Sequence, residues 1–418
     1  MKGFRSLTPV EDAIKILREH ISHRVKEVEE VSLISALGRV CGEDVYSPID
    51  SPAYDRSAVD GYALIAEDTF GASSTNPIRL KVIGRAETGT TPSSLPTVSR
   101  GEAVEIMTGA PIPPGANAVI QVEHVRRVEE FIEIEDQVAP LQNVSRRGED
   151  YGKGEIVLRK GWVIKPWHIG ALASLGIERL KVLRRIRVAL LSTGGEVVEL
   201  GSQLKPGQVY DSTKPMLMAL LSSYGATPID LGLAPDDLEI IAERISRGLE
   251  KADIVIVLGG TSVGERDLVP EAVSRIGKIV VHGLAIRPGK PVGFAISSGK
   301  PIFMLSGFPV AALVGFQALV VPAIEGILGC VFDPPPRVRG KLTRRISSPP
   351  GIRTYVRVRV FKDESGEVMI EPLRVTGSGM LSTLTKGNGL LVIPEDLEGY
   401  DEGSEVEVML LSPIFEGG

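Results

Sequence analysis

The sequence predicts a multidomain α/β plus β protein, with a central three-layer α/β/α domain built on a mainly parallel sheet. Three observations support this prediction. The chain has 418 residues, more than one hydrophobic core usually serves. Strand-like and helix-like segments alternate over residues 183–330, as they do in βαβ units. Segments 51–145 and 331–418 instead contain short alternating runs bounded by Gly and Pro, which is typical of small β domains.

Helical segments frame a β-rich region in the first part of the chain. Thr8-Pro9 precedes "VEDAIKILREHI", an N-cap and an N1 proline followed by apolar residues at helical spacing. "SLISALGRV" and "KPWHIGALASLGIERL" predict further helices, whereas "IRLKVIGRA", "EAVEIMTG", "NAVIQVEHV" and "FIEIEDQV" predict strands. We expect residues 1–50 together with 146–182 to form an elongated N-terminal domain, and residues 51–145 a β-rich lid domain.

The second half of the chain predicts an α/β domain over residues 183–330 and a β domain over 331–418. "RIRVALLST", "TPIDLGLA", "ADIVIVLGGTS" and "PIFMLSG" are strand-like, and "PDDLEIIAERISRGLE" is an amphipathic helix. The apolar run 308–324 falls short of the roughly 20 apolar residues of a membrane span, so we expect a buried helix. Beyond the linker "DPPPR", "RTYVRVRV", "EVMIEPLRV", "GLLVIPE" and "SEVEVMLL" predict a small β-barrel.

Composition narrows the classes of function. The net charge of −6 argues against nonspecific nucleic-acid binding, although a local basic pocket for a small anion stays possible. Two cysteines, Cys41 and Cys330, make neither a disulfide framework nor a zinc cluster. We therefore expect a cytoplasmic protein with no nucleic-acid partner and no membrane span.

Four unusual loops follow predicted strands of the α/β domain, and they are "STGGE" (192–196), "GGTSVGERD" (259–267), "RPGKP" (287–291) and "SGFP" (306–309). In open parallel sheets ligands bind beyond the carboxyl ends of the strands. Glycines let the backbone approach a phosphate, so the loops predict one anionic ligand. Nearby acids would hold Mg²⁺ beside that phosphate, and Lys290 and Arg287 would supply positive charge.

Each of these motifs also has a purely structural interpretation. Glycine-rich strand-to-helix turns are common, acids on loops are usually solvated, and "RPGKP" is compatible with a stiff hairpin that binds nothing. "SPAYDRSAVDGYAL" (51–64) predicts a turn that feeds a strand, but a turn does not require Asp55, Arg56 and Asp60 together. Four such loops on one predicted sheet edge favour a ligand site over four unrelated turns.

Seven motifs in order carry a resemblance to a known family: "SPAYDRSAVDGYA", "MTGAPIPPGANAV", "RRGEDYGKGE", "STGGE", "YDSTKP", "GGTSVGERD" and "RPGKP". Together they resemble the molybdopterin molybdenumtransferases, which include bacterial MoeA and the E domain of gephyrin. The resemblance covers essentially the whole chain. It implies that the central domain has the molybdopterin-binding fold and that the protein is an enzyme of molybdenum cofactor biosynthesis.

The resemblance also implies a reaction and an assembly. Such enzymes take adenylylated molybdopterin and molybdate, or tungstate, insert the metal into the pterin dithiolene with Mg²⁺ as cofactor, and release AMP. The family forms elongated homodimers in which the β-rich domain of one subunit reaches the central domain of the other. The molybdopterin adenylyltransferase that makes the substrate would be a further partner.

Site residues carry over from the resemblance motif by motif. Asp60, Asp267 and Lys290 would be catalytic. Asp60 and two substrate-binding residues, Thr108 and Asp150, would face the partner's central domain. The acids that would serve the pyrophosphate and Mg²⁺ are Glu196, Asp211 and Asp267. The remaining substrate-binding positions are Gly259, Gly260, Ser262, Gly264, Arg287, Pro291, Arg357 and Ser382, of which the last two match positions that help bind molybdate.

The chain departs from the family pattern at two loops. The family often has "STGDE", and here Gly195 replaces the first acid and removes a carboxylate from the mouth of the site. It often has "PGNP", and here "SGFP" places Ser306 for the proline and Phe308 for the asparagine. The second change removes an amide and adds an aromatic face.

Two alternative functions stay open at the level of the sequence. A molybdopterin adenylyltransferase would share the central loops, but the related adenylyltransferases are single-domain proteins. A noncatalytic molybdopterin-binding or scaffold protein could also use this fold, although the candidate acids are in place. The sequence does not separate molybdate from tungstate, since the two oxyanions have nearly the same size, charge and shape.

Overall fold

A six-stranded sheet forms the centre of the protein in a computed structural model that describes residues 6–261, 268–374 and 377–416. We label its strands in chain order as β1 (Arg187–Thr193), β2 (Thr227–Ala234), β3 (Ile254–Leu258), β4 (Lys278–His282), β5 (Gly293–Ser297) and β6 (Lys300–Leu305). They lie in the order β2-β1-β3-β6-β5-β4. β2, β1, β3 and β6 are parallel, and β5 runs antiparallel to both of its neighbours. The predicted mainly parallel sheet is confirmed.

Helices cover both faces of this sheet and make the predicted three layers. Apolar residues of Leu238–Lys251 and Val269–Ile276 form a core with one face, and those of Thr213–Ser223 and the long helix Pro309–Leu328 form a core with the other. Asp237 is the N-cap of the helix Leu238–Lys251, and its carboxylate accepts a hydrogen bond of 3.0 Å from the N–H of Ile240. This N-cap satisfies one of the donors that a helix start leaves free.

The helix Pro309–Leu328 comprises the α-helical segments Pro309–Gly315 and Val321–Leu328 and the π-helical turn Phe316–Val320 between them. In the part of the chain that the structure describes, it is the one helix long and apolar enough to cross a membrane by composition. Of its most apolar 18-residue window, 72% is buried inside the protein. That burial agrees with the predicted core helix, although the helix is longer than the apolar run suggested.

The N-terminal region is built from a helix and short strand pairs. Val28–Ser32 pairs with Arg179–Leu183, and Val45–Tyr46 pairs with Ile156–Leu158, beside the helix Pro166–Ser174. The predicted helix at "SLISALGRV" is wrong beyond the 3₁₀ turn Ile34–Ala36. Its flanking N–H groups bond other segments instead, from Leu33 to Glu178 O and from Gly38 to Ile164 O.

The first helix, Val10–His20, packs with the central sheet rather than with these strand pairs. Its buried residues Val10, Ala13 and Leu17 belong to the same core as the helix Pro309–Leu328. Thr8 also forms a parallel bridge with Leu284. The domain boundaries predicted from the sequence stay a prediction. The packing shows only that the first helix shares a core with the central region.

The β-rich region is a six-stranded sheet with its own apolar core. Its strands are Gly61–Leu64, Ile78–Ala86, Glu102–Ile106, Ala118–Gln121, Val125–Val128 and Phe131–Ile134. The chain enters and leaves this sheet through a two-stranded ribbon in which Arg56–Ser57 pairs with Val144–Ser145. Asp55 accepts a 2.8 Å hydrogen bond from the N–H of Arg147 across the ribbon, which gives that acid a structural role.

The C-terminal region contains a closed barrel of five strands: Arg337–Leu342, Arg353–Lys362, Val368–Arg374, Gly389–Ile393 and Glu405–Leu410. Each strand pairs with two others, so the ring has no free edge. A short strand of the central region, Ile286–Arg287, adds to Arg353–Lys362 in parallel. The predicted barrel is confirmed, and it is hydrogen-bonded to the central region.

A buried ion-pair cluster ties the N-terminal segment to the central sheet. Asp253 is 3% exposed and lies just before β3. Its carboxylate accepts hydrogen bonds of 2.8 and 2.9 Å from the Arg184 guanidinium and lies 2.7 Å from His23 Nε2. Burial raises the pKa of Asp253, but the hydrogen bonds from Arg184, the Arg187 N–H and His23 outweigh it and lower the pKa to about 2.

Asp253→Ala should lower the free energy of unfolding by about 3 kcal/mol, the lower end of the range for a broken buried pair, because Arg184 keeps only its exposed ion-pair partner Glu27 and the Arg187 N–H loses its acceptor. The control Glu243→Ala removes an exposed helix ion pair with Arg247 and should cost at most about 1 kcal/mol. Urea denaturation measures both.

The stabilisation by Asp253 should also depend on pH. Its folded pKa lies below the ordinary value of about 4, so the contribution is complete above that value and is lost as the pH falls towards about 2. The difference between the wild type and Asp253→Ala should therefore shrink over this window. An unchanged difference would contradict the assignment.

Candidate functional site

A cleft of about 1000 Å³ opens at the carboxyl ends of the parallel strands β1, β3 and β6. Three of the four loops singled out in the sequence contribute a large part of its wall, namely 192–196, 287–291 and 306–309. Of the fourth loop, Gly259, Gly260 and Thr261 line the cleft. Ser262, Gly264, Glu265 and Asp267 lie outside the described residues. The predicted convergence at one sheet edge therefore holds for the described part of all four loops.

The loops approach each other so closely that only glycine fits at one position. Gly259 has a φ of +86°, and a Cβ there would lie 2.7 Å from the carbonyl oxygen of Thr193. On its other side, a Cβ at Gly307 would lie 3.3 Å from the Cα of Gly259. Backbone at the ends of β1, β3 and β6 therefore meets in the floor of the cleft.

Two cations stand on the wall of this cleft. Arg287 is half-buried and Lys290 is exposed. Among the described residues, neither side chain makes an ion pair. The loop that carries them is fixed at both ends, because the N–H of Leu284 bonds Lys290 O at 2.9 Å and the N–H of Arg353 in the barrel bonds Ala285 O at 2.9 Å. Two cations on a fixed loop that pair with no described acid make a binding wall for an anion.

The predicted acids differ in their freedom to bind a ligand. Glu196 is exposed and lines the cleft. Asp211 also lines it but is only 8% exposed, and its carboxylate accepts hydrogen bonds of 2.6 Å from the Ser192 hydroxyl and 3.1 Å from the Lys214 N–H. The Lys214 ammonium is 3.7 Å away. Asp211 is therefore held as part of the wall, and Glu196 is the freer carboxylate.

Arg357 and Ser382 of the barrel do not line the cleft, although both were predicted to bind substrate. Arg357 is 1% exposed and donates to the Thr383 hydroxyl at 3.2 Å. Burial and then the nearby charge of Arg287 lower the pKa of Arg357. The two arginines are thus neighbours, with Arg287 on the cleft side. The barrel instead reaches the cleft through Ser378, Gly379, Pro349 and Ile352.

Asp60 and Thr108 contact each other at the ends of two neighbouring strands of the β-rich sheet, Gly61–Leu64 and Glu102–Ile106, and their predicted position opposite a partner subunit stays a prediction. The Asp60 carboxylate accepts hydrogen bonds of 2.7 Å from the Thr108 N–H and 2.8 Å from its hydroxyl. These bonds lower the pKa of Asp60 below its usual value. Asp150 is exposed near the ribbon, where its N–H bonds Ser51 O. No residue of 51–145 lines the cleft of its own chain, within the described part of the structure.

Three family models match the chain almost end to end. The MoeA N-terminal region (domain I and II) matches residues 8–176, the probable molybdopterin binding domain matches 189–326, and the MoeA C-terminal region (domain IV) matches 339–411. A molybdopterin molybdenumtransferase of Staphylococcus epidermidis is 32% identical over 97% of this chain and 96% of its own. The chain belongs to the molybdopterin molybdenumtransferase family.

Further relatives agree with this membership. A putative molybdopterin biosynthesis protein of Methanocaldococcus jannaschii is 40% identical over 98% of this chain and 100% of its own. A crystal structure of a molybdopterin biosynthesis MoeA protein from Pyrococcus horikoshii OT3 superimposes with a TM-score of 0.83 at 35% identity, and it covers 97% of this chain and 100% of its own. The resemblance and fold class predicted from the motifs are confirmed.

Asp236 is a cleft residue that the sequence analysis did not include among the candidate site residues. It follows the carboxyl end of β2 and lines the cleft, where its Oδ2 accepts a 3.2 Å hydrogen bond from the Gly195 N–H. A Cβ at Gly195 would lie 3.3 Å from that oxygen. A carboxylate therefore stands beside the position where "STGDE" would carry its acid. Its place just beyond a predicted parallel strand was the signal that could have found it.

Gly259→Ala should destabilise the fold more than its matched control Gly201→Ala. Both positions have a φ of +86°, but a Cβ at Gly201 meets nothing within 4 Å, whereas one at Gly259 meets Thr193 O. We expect about 1 kcal/mol for the control, from left-handed backbone alone, and a clearly larger loss at Gly259. Urea denaturation measures both, and equal losses would contradict the close approach of the loops.

Proposed function

We propose that the chain is a molybdopterin molybdenumtransferase, an enzyme that inserts molybdate into adenylylated molybdopterin and releases AMP. Tungstate is an equivalent substrate by size, charge and shape. The observation that carries this proposal is the anion-binding cleft at the carboxyl ends of β1, β3 and β6, in a chain that aligns end to end with relatives of that name. Molybdenum cofactor biosynthesis is then its role, and its two free, buried cysteines fit a reducing cytoplasm.

The cleft residues have separate tasks in this proposal. Breaking a phosphoanhydride requires mainly positioning and charge neutralisation. Lys290 and Arg287 neutralise the phosphate and the tetrahedral oxyanion, and Pro291 holds the loop that carries them. Gly259 and Gly260 let the pyrophosphate approach the backbone. Arg357, Ser382, Ser262 and Gly264 remain proposed substrate-binding residues, and Asp267 remains a proposed catalytic acid.

Mg²⁺ is part of the proposal as the cofactor that neutralises the pyrophosphate. Within the described residues, no three His, Cys, Asp or Glu side chains form a metal-type cluster. That arrangement fits Mg²⁺, which proteins usually hold by one or two carboxylates together with substrate phosphates. The candidate carboxylates are Glu196 and Asp236, which line the cleft, and Asp267, and one or two of them would hold the ion. Asp211 instead orients the wall through Ser192 and Lys214.

A homodimer with a composite site is also part of the proposal. Asp60 and Thr108 form an exposed polar pair at the ends of two inner strands, and Asp150 is exposed near the ribbon that joins this sheet to the chain. Since the cleft wall of one chain contains no described residue of 51–145, a partner subunit would have to supply these groups. The adenylyltransferase that makes the substrate would be a separate partner.

Lys290→Ala should reduce both AMP release and metal insertion by at least a hundredfold, because it removes a charge from the anion wall without touching the core. The control Lys278→Ala removes an exposed lysine at the amino end of β4, away from the cleft, and should keep full activity. The assay supplies adenylylated molybdopterin with molybdate or tungstate and follows AMP and the metal-bound pterin.

The same assay separates the alternatives. If Lys290→Ala matches the wild type, the role of Lys290 is wrong. If the wild type instead joins AMP from ATP to molybdopterin, the protein is an adenylyltransferase. Tight pterin binding without AMP release would indicate a scaffold.

Mixing two inactive variants should restore activity if the site is composite. Asp60→Ala removes the acid of the β-rich sheet, and Asp267→Asn removes the proposed acid of the central cleft. A mixed dimer would carry one intact site and one site that lacks both acids. Each heterodimer should therefore recover up to about half of the activity of a wild-type dimer. Subunit exchange is verified by tags of different mass. Exchange without recovery would contradict the action of Asp60 across the interface.

A further inference from the structure

Phe308 is an aromatic side chain that the fold leaves open to the cleft. It lies at the start of the helix Pro309–Leu328, lines the cleft and is 60% exposed. The cleft wall also carries Tyr210, a second aromatic side chain at 41% exposure, and apolar residues such as Val209 and Ile352, but the ring of Phe308 has the larger exposed fraction of the two aromatic side chains. A large apolar ring in such a place exposes surface that binding of a flat ligand would remove from water. The reaction proposed above does not use this side chain.

Ser306 holds the turn that presents Phe308. The Ser306 hydroxyl accepts a 3.2 Å hydrogen bond from the Phe308 N–H. The Phe308 carbonyl accepts from the Ala312 N–H at 2.9 Å, and Gly307 O accepts from the Thr213 hydroxyl at 2.6 Å. The backbone of Phe308 is therefore fixed before any ligand arrives. A proline at 306 has no hydroxyl and could not accept the first of these bonds.

The barrel supports the ring from one side. A Cβ at Gly379 would lie 3.1 Å from Cδ1 and 3.5 Å from Cε1 of Phe308, so the ring edge rests against backbone. The N–H of Val310 also bonds Ser378 O at 3.0 Å, which fixes the barrel segment beside the helix start. The ring is thus held between the central sheet and the barrel, where it lines the cleft and stays largely exposed.

We propose that Phe308, positioned by Ser306 and Gly379, stacks against a flat heteroaromatic ring of the substrate and sets ligand specificity in this chain. The inference rests on the proposed function, because adenylylated molybdopterin carries two such rings, adenine and pterin. Stacking on an aromatic side chain suits any flat nitrogen heterocycle. The negatively charged phosphates of the same ligand would contact the two cations of the cleft wall, Lys290 and Arg287.

Substitutions at Phe308 separate stacking from simple apolar contact. Phe308→Leu keeps an apolar side chain but removes the π face, and it should raise KM for adenylylated molybdopterin about tenfold or more with kcat little changed. Phe308→Tyr should stay within about twofold of the wild type. Phe70→Leu is the matched control, because Phe70 is 53% exposed and does not line the cleft.

Direct binding identifies which ring is stacked. A Phe308→Trp variant in a Trp162→Phe, Trp167→Phe background carries its single tryptophan in the cleft, since the chain has two natural tryptophans. Its fluorescence should be quenched by AMP if adenine is stacked, and by molybdopterin if the pterin is. Quenching by neither, with a wild-type KM in Phe308→Leu, would overturn the inference.

Ser306 is tested as a positioning residue. Ser306→Ala should raise KM less than Phe308→Leu does, Ser306→Thr should restore it, and the double variant Ser306→Ala, Phe308→Leu should be no worse than Phe308→Leu alone. Additive effects would show that the hydroxyl does not act through the ring. Gly379→Ala should also raise KM, because the methyl group displaces the ring edge.

Other outcomes distinguish this inference from the proposed function. If Phe308→Leu weakens dimerisation in sedimentation but leaves ligand affinity unchanged, the ring is a subunit contact and stacking is wrong. If the wild type and Phe308→Leu insert metal with equal KM, the stacking inference is wrong but the proposed reaction is supported. If the wild type never inserts metal but binds AMP or molybdopterin through Phe308, the reaction fails while stacking stands.

Discussion

The close approach of three backbone segments at the carboxyl ends of β1, β3 and β6 is the constraint on which the rest of the site depends. Thr193, Gly259 and Gly307 meet at distances that leave no room for a Cβ between the first two. Parallel pairing brings these strand ends to one edge, and glycine lets their backbones approach each other there. The charged and aromatic groups of the site stand around this meeting point, on the rim of the cleft.

The barrel completes that rim through hydrogen bonds rather than through side-chain contact alone. Ile286–Arg287 joins the barrel as an added strand, and Ser378 bonds the start of the helix that carries Phe308. The cation loop and the aromatic ring are therefore fixed by the same neighbouring unit. Without the barrel, Arg287 and Lys290 would sit on a loop with one fewer anchor. The C-terminal region thus contributes to the site by holding loops that belong to the central one.

The sequence predicted the elements well where the spacing of apolar residues agreed with the Gly and Pro residues that bound each segment, as in β1, β3 and the barrel strands. It over-predicted a helix at 32–40, because the N–H groups of Leu33 and Gly38 bond distant segments that no local pattern reveals. Among the site residues, the cleft loops were predictable because each follows a strand. Asp236 was missed because its place beside Gly195 arises only when β2 pairs with β1. Arg357 was expected to bind substrate, but the structure buries its side chain in the barrel region. That burial depends on the closure of the five-stranded barrel, which a local pattern does not reveal.

The two departures from the family pattern make sense only when spatial neighbours are considered together. Gly195 lacks an acid, and the Asp236 carboxylate occupies the adjoining space because no side chain at 195 keeps it out. Ser306 and Phe308 differ from "PGNP" as a pair, and the serine hydroxyl bonds the very N–H that fixes the phenylalanine. In each case the departing residue leaves a space or makes a bond that a neighbouring residue uses. A comparison that scores single positions would count three losses. The mouth of the cleft therefore carries the Asp236 carboxylate beside the bare Gly195, and the aromatic side chain of Phe308 where an amide would otherwise stand.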